Sequence, residues 1–392
     1  MNTNQPNFAL VNGKVVLPDR ISEGLAVLVN GDRIEGVVKT GDLGGDVPVM
    51  DVGGRYISPG LIDIHTHGGM GHDYMEATPE AFDKILRYQA SQGITTLLAT
   101  LGCAPLDEML AAVKFTGAWM TEKHQGSTVA GLHMEGPYFS NDQKGAQDPR
   151  SIRTPEDGTA DAFLEHPEWI KIFSFAPELP GAVDFTRRLV DLGILPAAGH
   201  SAARDWQVEA AMEAGLTHTI HIWSSQSSTI REGPWRKPGL LETTLLHDDL
   251  TAEMISDNRH LPPTLMKLAY KCKGPDKLCV ISDAIEGAGL PEGTQIHSTG
   301  IDYEISNGVG ILNDRTSFAG SVTLINRMIR ILTDEVGVPL VEAVRMATLT
   351  PARIIGIQDR KGRLAAGKDA DIAIFETDFS AWKVMIGGQW VA

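Results

Sequence analysis

The residues of this chain best suited to chemistry are histidines and carboxylates that follow short apolar runs. His65 and His67 come two residues apart, just after the apolar run 61–64, which Pro59 and Gly60 precede. Side chains alternate between the two faces of a strand, so both imidazoles are predicted to point the same way. Two imidazoles on one face provide half of a typical zinc site.

Further candidates follow other apolar runs in the same way. They are Glu135, His200, His221 and Asp283. A single histidine or aspartate after a strand usually has a structural role, such as capping a helix. Because these residues follow several separate runs, we expect them to share one metal site. His133 and His218 alternate poorly with the site-facing positions and are predicted to be structural.

Eight short apolar runs, separated for the most part by helical patterns, fill the middle of the chain. A helix is predicted over 79–92, where Gly93 follows. Eight strand–helix units in about this length predict an α/β fold, a (β/α)8 barrel of the TIM type. The active site of such a barrel lies at the carboxyl ends of its strands. The predicted strands are 61–64, 95–99, 129–133, 170–175, 195–198, 217–222, 252–255 and 277–281.

The two ends of the chain share a strand-and-turn pattern. Asn-Gly at 12–13 between two apolar runs is a strong hairpin signal, and the tail 370–391 alternates strands and turns in a similar way. We therefore expect both ends to form one small β-sandwich domain, residues 1–58 plus 348–392. The hydrolase barrel, residues 59–347, would be inserted between its halves.

Composition excludes several classes of partner. The net charge is −16 and no long basic stretch occurs, which argues against binding to nucleic acid or to an anionic membrane. The three cysteines form no C-x-x-C pair, as expected in a reducing compartment. Residues 1–6 have no feature of a secretion signal, and no apolar run reaches the length of a membrane span. The predicted location is the cytoplasm.

These motifs resemble the amidohydrolase superfamily and, within it, the N-acetylglucosamine-6-phosphate deacetylases. The glutamate-glycine-proline loop is the most specific of them. The resemblance implies a barrel plus a β-sandwich, deacetylation of a sugar amide, and a homodimer. The segments that carry it are 59–68, 133–139, 199–201, 219–221, 282–284, 318–321 and 362–371.

The same resemblance, together with ligand chemistry, implies one or two divalent ions per chain. Zinc is the first expectation, with iron, manganese, cobalt or nickel as alternatives. Such an ion lowers the pKa of water and polarises an amide carbonyl. Asp283 is expected to take a proton from that water and to pass it to the leaving amine. One ion would be held by Glu135, His200 and His221, and a second by His65, His67 and Glu135.

Substrate recognition is where the sequence departs from the family pattern. Gln147 replaces a histidine, and Trp223 with two serines replaces an aromatic-Asn-Ala turn. Arg231 and Arg236 are both candidates for holding a phosphate, because a guanidinium can form two parallel hydrogen bonds. The predicted substrate-binding residues are Ala146, Gln147, Ser224, Ser225, Arg231, Arg236, His260, Phe318, Ala319 and Gly320.

The expected function is metal-dependent hydrolysis of the N-acetyl group of a small amino sugar. N-acetylglucosamine 6-phosphate, giving glucosamine 6-phosphate and acetate, is the first candidate substrate. One alternative is another amidohydrolase, acting on a different N-acyl sugar, an N-acyl amino acid, a cyclic amide or a lactone. A second alternative is a barrel that serves as a non-catalytic scaffold, although the complete set of candidate ligands argues against it.

Overall fold

Eight parallel strands form the centre of the molecule in a computed structural model that describes residues 8–298 and 301–392. Their order in the sheet is their order in the chain. A parallel bridge between Thr66 and Ala284 joins the first strand to the segment after the last, so the sheet is nearly closed into the expected barrel. The strands are β1 (Leu61–Thr66), β2 (Ile94–Leu101), β3 (Thr128–Glu135), β4 (Ile170–Phe175), β5 (Leu195–Ala198), β6 (His218–Thr219), β7 (Thr251–Ile255) and β8 (Leu278–Ile281).

The strands are apolar because helices and the barrel interior cover both of their faces. Every residue of β1 and β2 is buried, which is the usual pattern for parallel strands. The sixth strand was predicted over 217–222, and that length is wrong. Beyond β6, Ile220 and Ile222 still donate backbone hydrogen bonds to neighbouring strands, at 3.0 Å each, but without a regular ladder.

Helices surround the barrel. The helix predicted over 79–92 is Pro79–Ser91, and the side chain of Thr78 caps it by accepting a hydrogen bond from the Ala81 N–H. No helix in residues 8–298 and 301–392 is long and apolar enough to cross a membrane. The helices are Pro79–Ser91, Leu106–Trp119, Ala160–Phe163, Ala182–Asp191, Asp205–Glu213, Leu240–Leu246, Pro263–Lys273, Ile325–Ile331, Leu340–Met346 and Leu349–Ile354, with 3-10 turns at Thr40–Asp42, Tyr74–Glu76, Asn141–Gln143 and Pro167–Trp169 and a π-helical turn at Leu332–Val336.

Two more sheets come from the ends of the chain. Tyr56–Pro59 pairs antiparallel with Ile372–Phe375, so strands from both ends share one sheet, as predicted. Leu10, Val27 and Ile374 belong to a hydrophobic cluster separate from the barrel core. In spatial order, one sheet contains Arg33–Lys39, Leu25–Asn30, Phe8–Val11 and Val49–Asp51, and the other Gln389–Trp390, Ala381–Ile386, Ile372–Phe375, Tyr56–Pro59, Lys14–Val16 and Ile21–Ser22.

The division into domains at 58/59 and 347/348 stays a prediction. Residues 1–7 lie outside the described residues. They include the start of the predicted β-sandwich domain and the segment predicted to lack a secretion signal. Near the second boundary, the helix Leu349–Ile354 contributes Ala352 to the hydrophobic cluster of the barrel.

The sequence did not predict a four-stranded antiparallel sheet that follows β8. A parallel bridge between Ala284 and Ser321 ties this sheet to the carboxyl end of the barrel. Two small hairpins, also not predicted, lie in the loops after β1 and β6. The sheet contains Gln295–Ser298, Ile301–Ser306, Val309–Leu312 and Phe318–Ser321, and the hairpins pair Gly68–Gly69 with His72–Asp73 and Ile230–Glu232 with Trp235–Lys237.

Contact between the terminal sheets and the barrel can be tested at Gly93, which precedes β2. Its φ is +90°, and a Cβ there would lie 2.5 Å from the ring of Phe375. Gly93→Ala is expected to lower the free energy of unfolding by about 1–3 kcal/mol more than Gly24→Ala, because only the first overpacks an interface. Gly24 also has a positive φ, +71°, but no atom lies within 4 Å of its Cβ position. Urea unfolding of both variants measures the difference, and equal losses would contradict this packing.

Candidate metal centre

The Glu135 carboxylate lies at the centre of the candidate site. It ends β3 and is buried. Its Oε1 lies 3.1 Å from His200 Nε2 and 2.9 Å from His221 Nε2. Its Oε2 lies 3.2 Å from His67 Nε2. The fold therefore brings imidazoles from the ends of three different strands onto one carboxylate.

The remaining predicted ligand, His65, presents a nitrogen that has no hydrogen bond. His65 Nε2 is buried without a hydrogen-bond partner in the described structure, and it lies 3.5 Å from Glu135 Oε1 and 3.6 Å from Asp283 Oδ1. An imidazole nitrogen facing two carboxylate oxygens at these distances fits a cation shared among them. Mixed nitrogen and oxygen donors suit zinc and similar divalent ions.

Two overlapping groups of three residues have this ligand character. Within each group the potential ligand atoms lie within 4.8 Å of one another. Glu135 belongs to both groups, which is the arrangement predicted for two ions bridged by one carboxylate. The groups are His65, His67 and Glu135, and Glu135, His200 and His221.

Electrostatics at the site favour positive charge. Burial opposes ionisation of Glu135, but the charge on His65 and hydrogen bonds from His200 and His221 hold its pKa well below the usual range. Burial likewise opposes charging of His67, but hydrogen bonds to Asp283 and Glu135 raise its pKa to about 10. Despite burial, the hydrogen bond from His67 lowers the pKa of Asp283 to about 2. The same negative potential would attract a divalent ion.

The backbone is strained where two of these side chains enter the site. His200 has a φ of +44° and Asp283 a φ of +48°. Left-handed backbone in residues other than glycine costs about 1–3 kcal/mol and persists only where the surroundings enforce it. At Asp283, the enforcing contact is a 2.9 Å hydrogen bond from its N–H to the carbonyl of His65.

A third group of potential ligands contains His65, His133 and Glu253, but hydrogen bonds already occupy the two ring nitrogens of His133. His133 Nδ1 lies 3.0 Å from the carbonyl oxygen of Ile64, which can only accept, so Nδ1 carries the proton. His133 Nε2 then accepts from the Ser174 hydroxyl at 2.6 Å. Burial lowers the pKa of His133 to about 3, as expected for a neutral ring. Both nitrogens are occupied, consistent with the structural role predicted for His133.

A cleft of about 330 Å³ opens above the carboxylates and imidazoles. This volume is near the lower end of the range for small-molecule sites. Most of the predicted substrate-binding residues line it, namely Ala146, Gln147, Ser224, Ser225, His260, Phe318, Ala319 and Gly320.

Neighbouring groups fix the orientation of two of these side chains. Gln147 donates from Nε2 to Glu135 Oε2 at 2.8 Å and accepts from the Cys103 N–H at 2.9 Å. His260 Nδ1 lies 2.8 Å from Asp257 Oδ2, which leaves the other ring nitrogen available to the cleft. Gln147 therefore contacts the central carboxylate as well as lining the cleft, a role that the sequence did not suggest.

The two candidate arginines lie elsewhere. Arg231 and Arg236 face each other across the exposed hairpin after β6, and neither lines the cleft. Among the described residues, no lysine or arginine lines it. Contact of Arg231 or Arg236 with substrate stays a prediction.

The cleft is also lined by polar residues that the sequence did not single out, among them Asp73, Asp148, Glu286, Tyr303 and Ser317. Tyr303 donates to Glu286 Oε2 at 2.8 Å. Tyr303 could not be found from the sequence, because its sheet was not predicted. Glu286 follows the Ser-Asp-Ala motif closely enough that its position offered a signal.

The family of this chain was identified by comparison with known proteins. A model of the amidohydrolase family matches residues 56–391. The chain belongs to the amidohydrolase family. It is thus a metal-dependent hydrolytic enzyme, which confirms the resemblance inferred from its motifs and argues against a non-catalytic scaffold.

The similarity to individual relatives extends over most of this chain and most of each relative. A protein of Vibrio furnissii named N-acetylglucosamine-6-phosphate deacetylase is 32% identical over 343 residues, covering 86% of this chain and 82% of the relative. A protein of Escherichia coli O157:H7 named N-acetylgalactosamine-6-phosphate deacetylase is 30% identical over 344 residues, covering 88% and 89%. The structure of N-acetylglucosamine-6-phosphate deacetylase from Pasteurella multocida is similar with a TM-score of 0.91 at 27% identity, covering 98% and 99%.

One solved structure includes a sugar. It is a mutant N-acetyl-D-glucosamine-6-phosphate deacetylase from Mycobacterium smegmatis in complex with N-acetyl-D-glucosamine-6-phosphate. Its TM-score against this chain is 0.91 at 27% identity, and the match covers 99% of this chain and 100% of that one.

The central role of Glu135 can be tested by metal analysis. Glu135→Gln is expected to lower the content of divalent ions and to abolish hydrolysis, since its carboxylate touches ligands of both groups. Glu178→Gln is a matched control, because Glu178 accepts hydrogen bonds from Ser201 and Ala202 and belongs to neither group of candidate ligands. Elemental analysis of the purified variants provides the measurement, and full metal occupancy in Glu135→Gln would rule out this assignment.

Proposed function

We propose that this chain removes the N-acetyl group of an amino sugar, with N-acetylglucosamine 6-phosphate as the first candidate. Hydrolysis would give glucosamine 6-phosphate and acetate. The observation that carries the proposal is the position of Asp283, whose carboxylate faces the candidate ligands at the base of a cleft lined by residues predicted to bind a sugar. The names of the relatives support the same substrate class.

The proposed metal ligands are His65, His67, Glu135, His200 and His221. A divalent ion at these residues would supply Lewis-acid chemistry, activating water and polarising the amide carbonyl. Zinc is the proposed metal, because imidazole and carboxylate donors suit it.

Asp283 is the proposed acid–base residue. Its low pKa keeps it ionised at neutral pH, so it can accept a proton. Water forms a bond to the amide carbon while Asp283 takes its proton. The carbon–nitrogen bond then breaks, and the amine nitrogen takes the proton from Asp283. The acid formed passes its remaining proton to the amine, so acetate and the ammonium form of the amino sugar leave, and Asp283 is again a carboxylate.

The sugar is proposed to lie between His260 and the turn of Ser224 and Ser225. Asp257 fixes the His260 ring, so its remaining nitrogen can contact a sugar hydroxyl without first losing rotational freedom. The Phe318 ring centroid lies 4.9 Å from that of His260 and provides an apolar surface beside it. Ala146, Gln147, Ala319 and Gly320 complete the proposed substrate contacts.

A plain N-acetylated sugar is the second candidate. Among the described residues, the cleft is lined by Asp73, Asp148 and Glu286 in addition to the site carboxylates, and by no lysine or arginine. Such a lining offers a phosphate no lysine or arginine. Arg231 or Arg236 would reach the phosphate only if their hairpin moved, or if a second copy of the chain supplied its own hairpin. The homodimer and the cytoplasmic location remain proposals from the sequence.

The first test concerns the base. Asp283→Asn is expected to keep the fold and most of the metal, but to lower kcat by about 10²–10⁴-fold, the usual contribution of a positioned acid–base group. Steady-state kinetics, with metal content measured on the same sample, provide the measurement. Asp157→Asn, which changes a carboxylate bonded to Thr159 outside the cleft, serves as the control. Turnover near the wild-type rate in Asp283→Asn would remove this residue from the mechanism.

The second test concerns the phosphate. Arg231→Ala and Arg236→Ala are assayed on phosphorylated and plain N-acetylglucosamine, with Lys237→Ala as a control from the same hairpin. One arginine variant should lose about 10- to 100-fold in kcat/KM on the phosphorylated sugar alone, the effect of one lost bond to a charged group. If the wild type prefers the plain sugar, or if neither variant discriminates, the phosphorylated substrate is wrong.

A further inference from the structure

A buried carboxylate lies beneath the candidate ligands, and the mechanism above does not use it. Glu253 is the third residue of β7, and its relative accessibility is 0%. It is the only charged residue of that strand. A carboxylate with no access to water requires hydrogen-bond donors to replace its hydration.

Three donors surround Glu253, and two of them belong to candidate ligands. His65 Nδ1 lies 2.7 Å from Oε2. The backbone N–H of His221 donates to the same oxygen at 3.2 Å. His218 Nε2 lies 3.3 Å from the other oxygen, Oε1. One atom, Glu253 Oε2, therefore joins a residue from each of the two overlapping ligand groups.

The hydrogen bond to Glu253 determines which nitrogen of His65 faces the site. A carboxylate only accepts, so His65 Nδ1 must carry the proton of that bond. In the neutral ring the lone pair then lies on Nε2, the nitrogen that faces Glu135 and Asp283 and forms no hydrogen bond in the described structure. A carboxylate behind a ligand histidine also makes the ring a better donor to a metal.

We propose that Glu253 is a positioning residue for both halves of the metal site. It fixes the tautomer of the His65 ring and holds the backbone of His221, so that each group of ligands depends on it. The inference rests on the ligand assignment proposed above and adds a residue that would touch neither metal nor substrate.

The test is a titration of metal-free protein with Zn²⁺, followed by calorimetry. In Glu253→Gln the amide oxygen can still accept from His65 and His221. The amide nitrogen then faces His218 Nε2 and can donate to it when that ring carries its proton on Nδ1, which lies 2.7 Å from Thr251 Oγ1. Both binding steps are expected to weaken by about 10- to 100-fold, the usual effect of removing such a supporting carboxylate. Glu253→Ala, which removes the partner of all three neighbouring groups, is expected to weaken both binding steps further.

Ser174→Ala is the matched control. It removes a buried hydrogen bond to His133, and its side chain forms no hydrogen bond to a candidate ligand. Zn²⁺ binding to this variant should equal that of the wild type. A similar weakening in Ser174→Ala and Glu253→Gln would reduce Glu253 to a general structural role and overturn the proposal.

The remaining outcomes distinguish failure of this proposal from failure of the proposed metal ligands and function. Wild-type protein that binds no Zn²⁺ defeats the ligand assignment, and the proposal with it. Unchanged binding in Glu253→Gln, or weakening of one step alone, defeats only the shared role of Glu253. Should the variants not fold, a crystal structure of Zn²⁺-loaded wild type decides, because a His65 ring turned away from Glu253 would overturn the proposal.

Discussion

The structure depends on keeping several charged and polar groups out of water inside one barrel. Glu135 and Glu253 are both buried, and each alone would be strongly unfavourable in a closed core. Imidazole rings lie next to both carboxylates. We call the surroundings of Glu135 the upper level and those of Glu253 the lower level. The upper level surrounds Glu135 and leaves two imidazole nitrogens, His65 Nε2 and His221 Nδ1, without hydrogen-bond partners. At the lower level, Glu253 has His65 Nδ1, His218 Nε2 and the backbone N–H of His221 around it. The nitrogens without partners lie at the upper level, where we propose that a cation binds.

Much of the site could be predicted because its ligands follow apolar strands. His65, His67 and Asp283 belong to strands whose carboxyl ends must meet in a barrel, so their proximity follows from the fold class alone. Glu253 gave a signal too, as a lone acid within an apolar run. Its role could not be derived, since only the register of β7 against β6 shows that it lies under His221.

Other features depend on loop geometry that a sequence pattern does not determine. The alternation of Ile301, Tyr303 and Ile305 is typical of a strand. It was not predicted as one, because the eight strands expected of a barrel were already assigned before residue 301. The arginines after β6 were assigned to the correct loop. The hairpin that carries them away from the cleft depends on the turn at Gly233, whose φ is +58°. The sixth strand was predicted too long because apolar residues continue past its last regular pairing.

The pairing of Tyr56–Pro59 with Ile372–Phe375 has a consequence for how the molecule is made. These neighbours in one sheet are separated in the chain by the whole barrel. The entropy of closing so long a loop is lost before the contact provides any stability, unless the intervening chain is already compact. We therefore expect the barrel to form first and to bring the two strands together. During synthesis, Tyr56–Pro59 leaves the ribosome before its partner Ile372–Phe375, and the edge that this partner covers stays open in that interval.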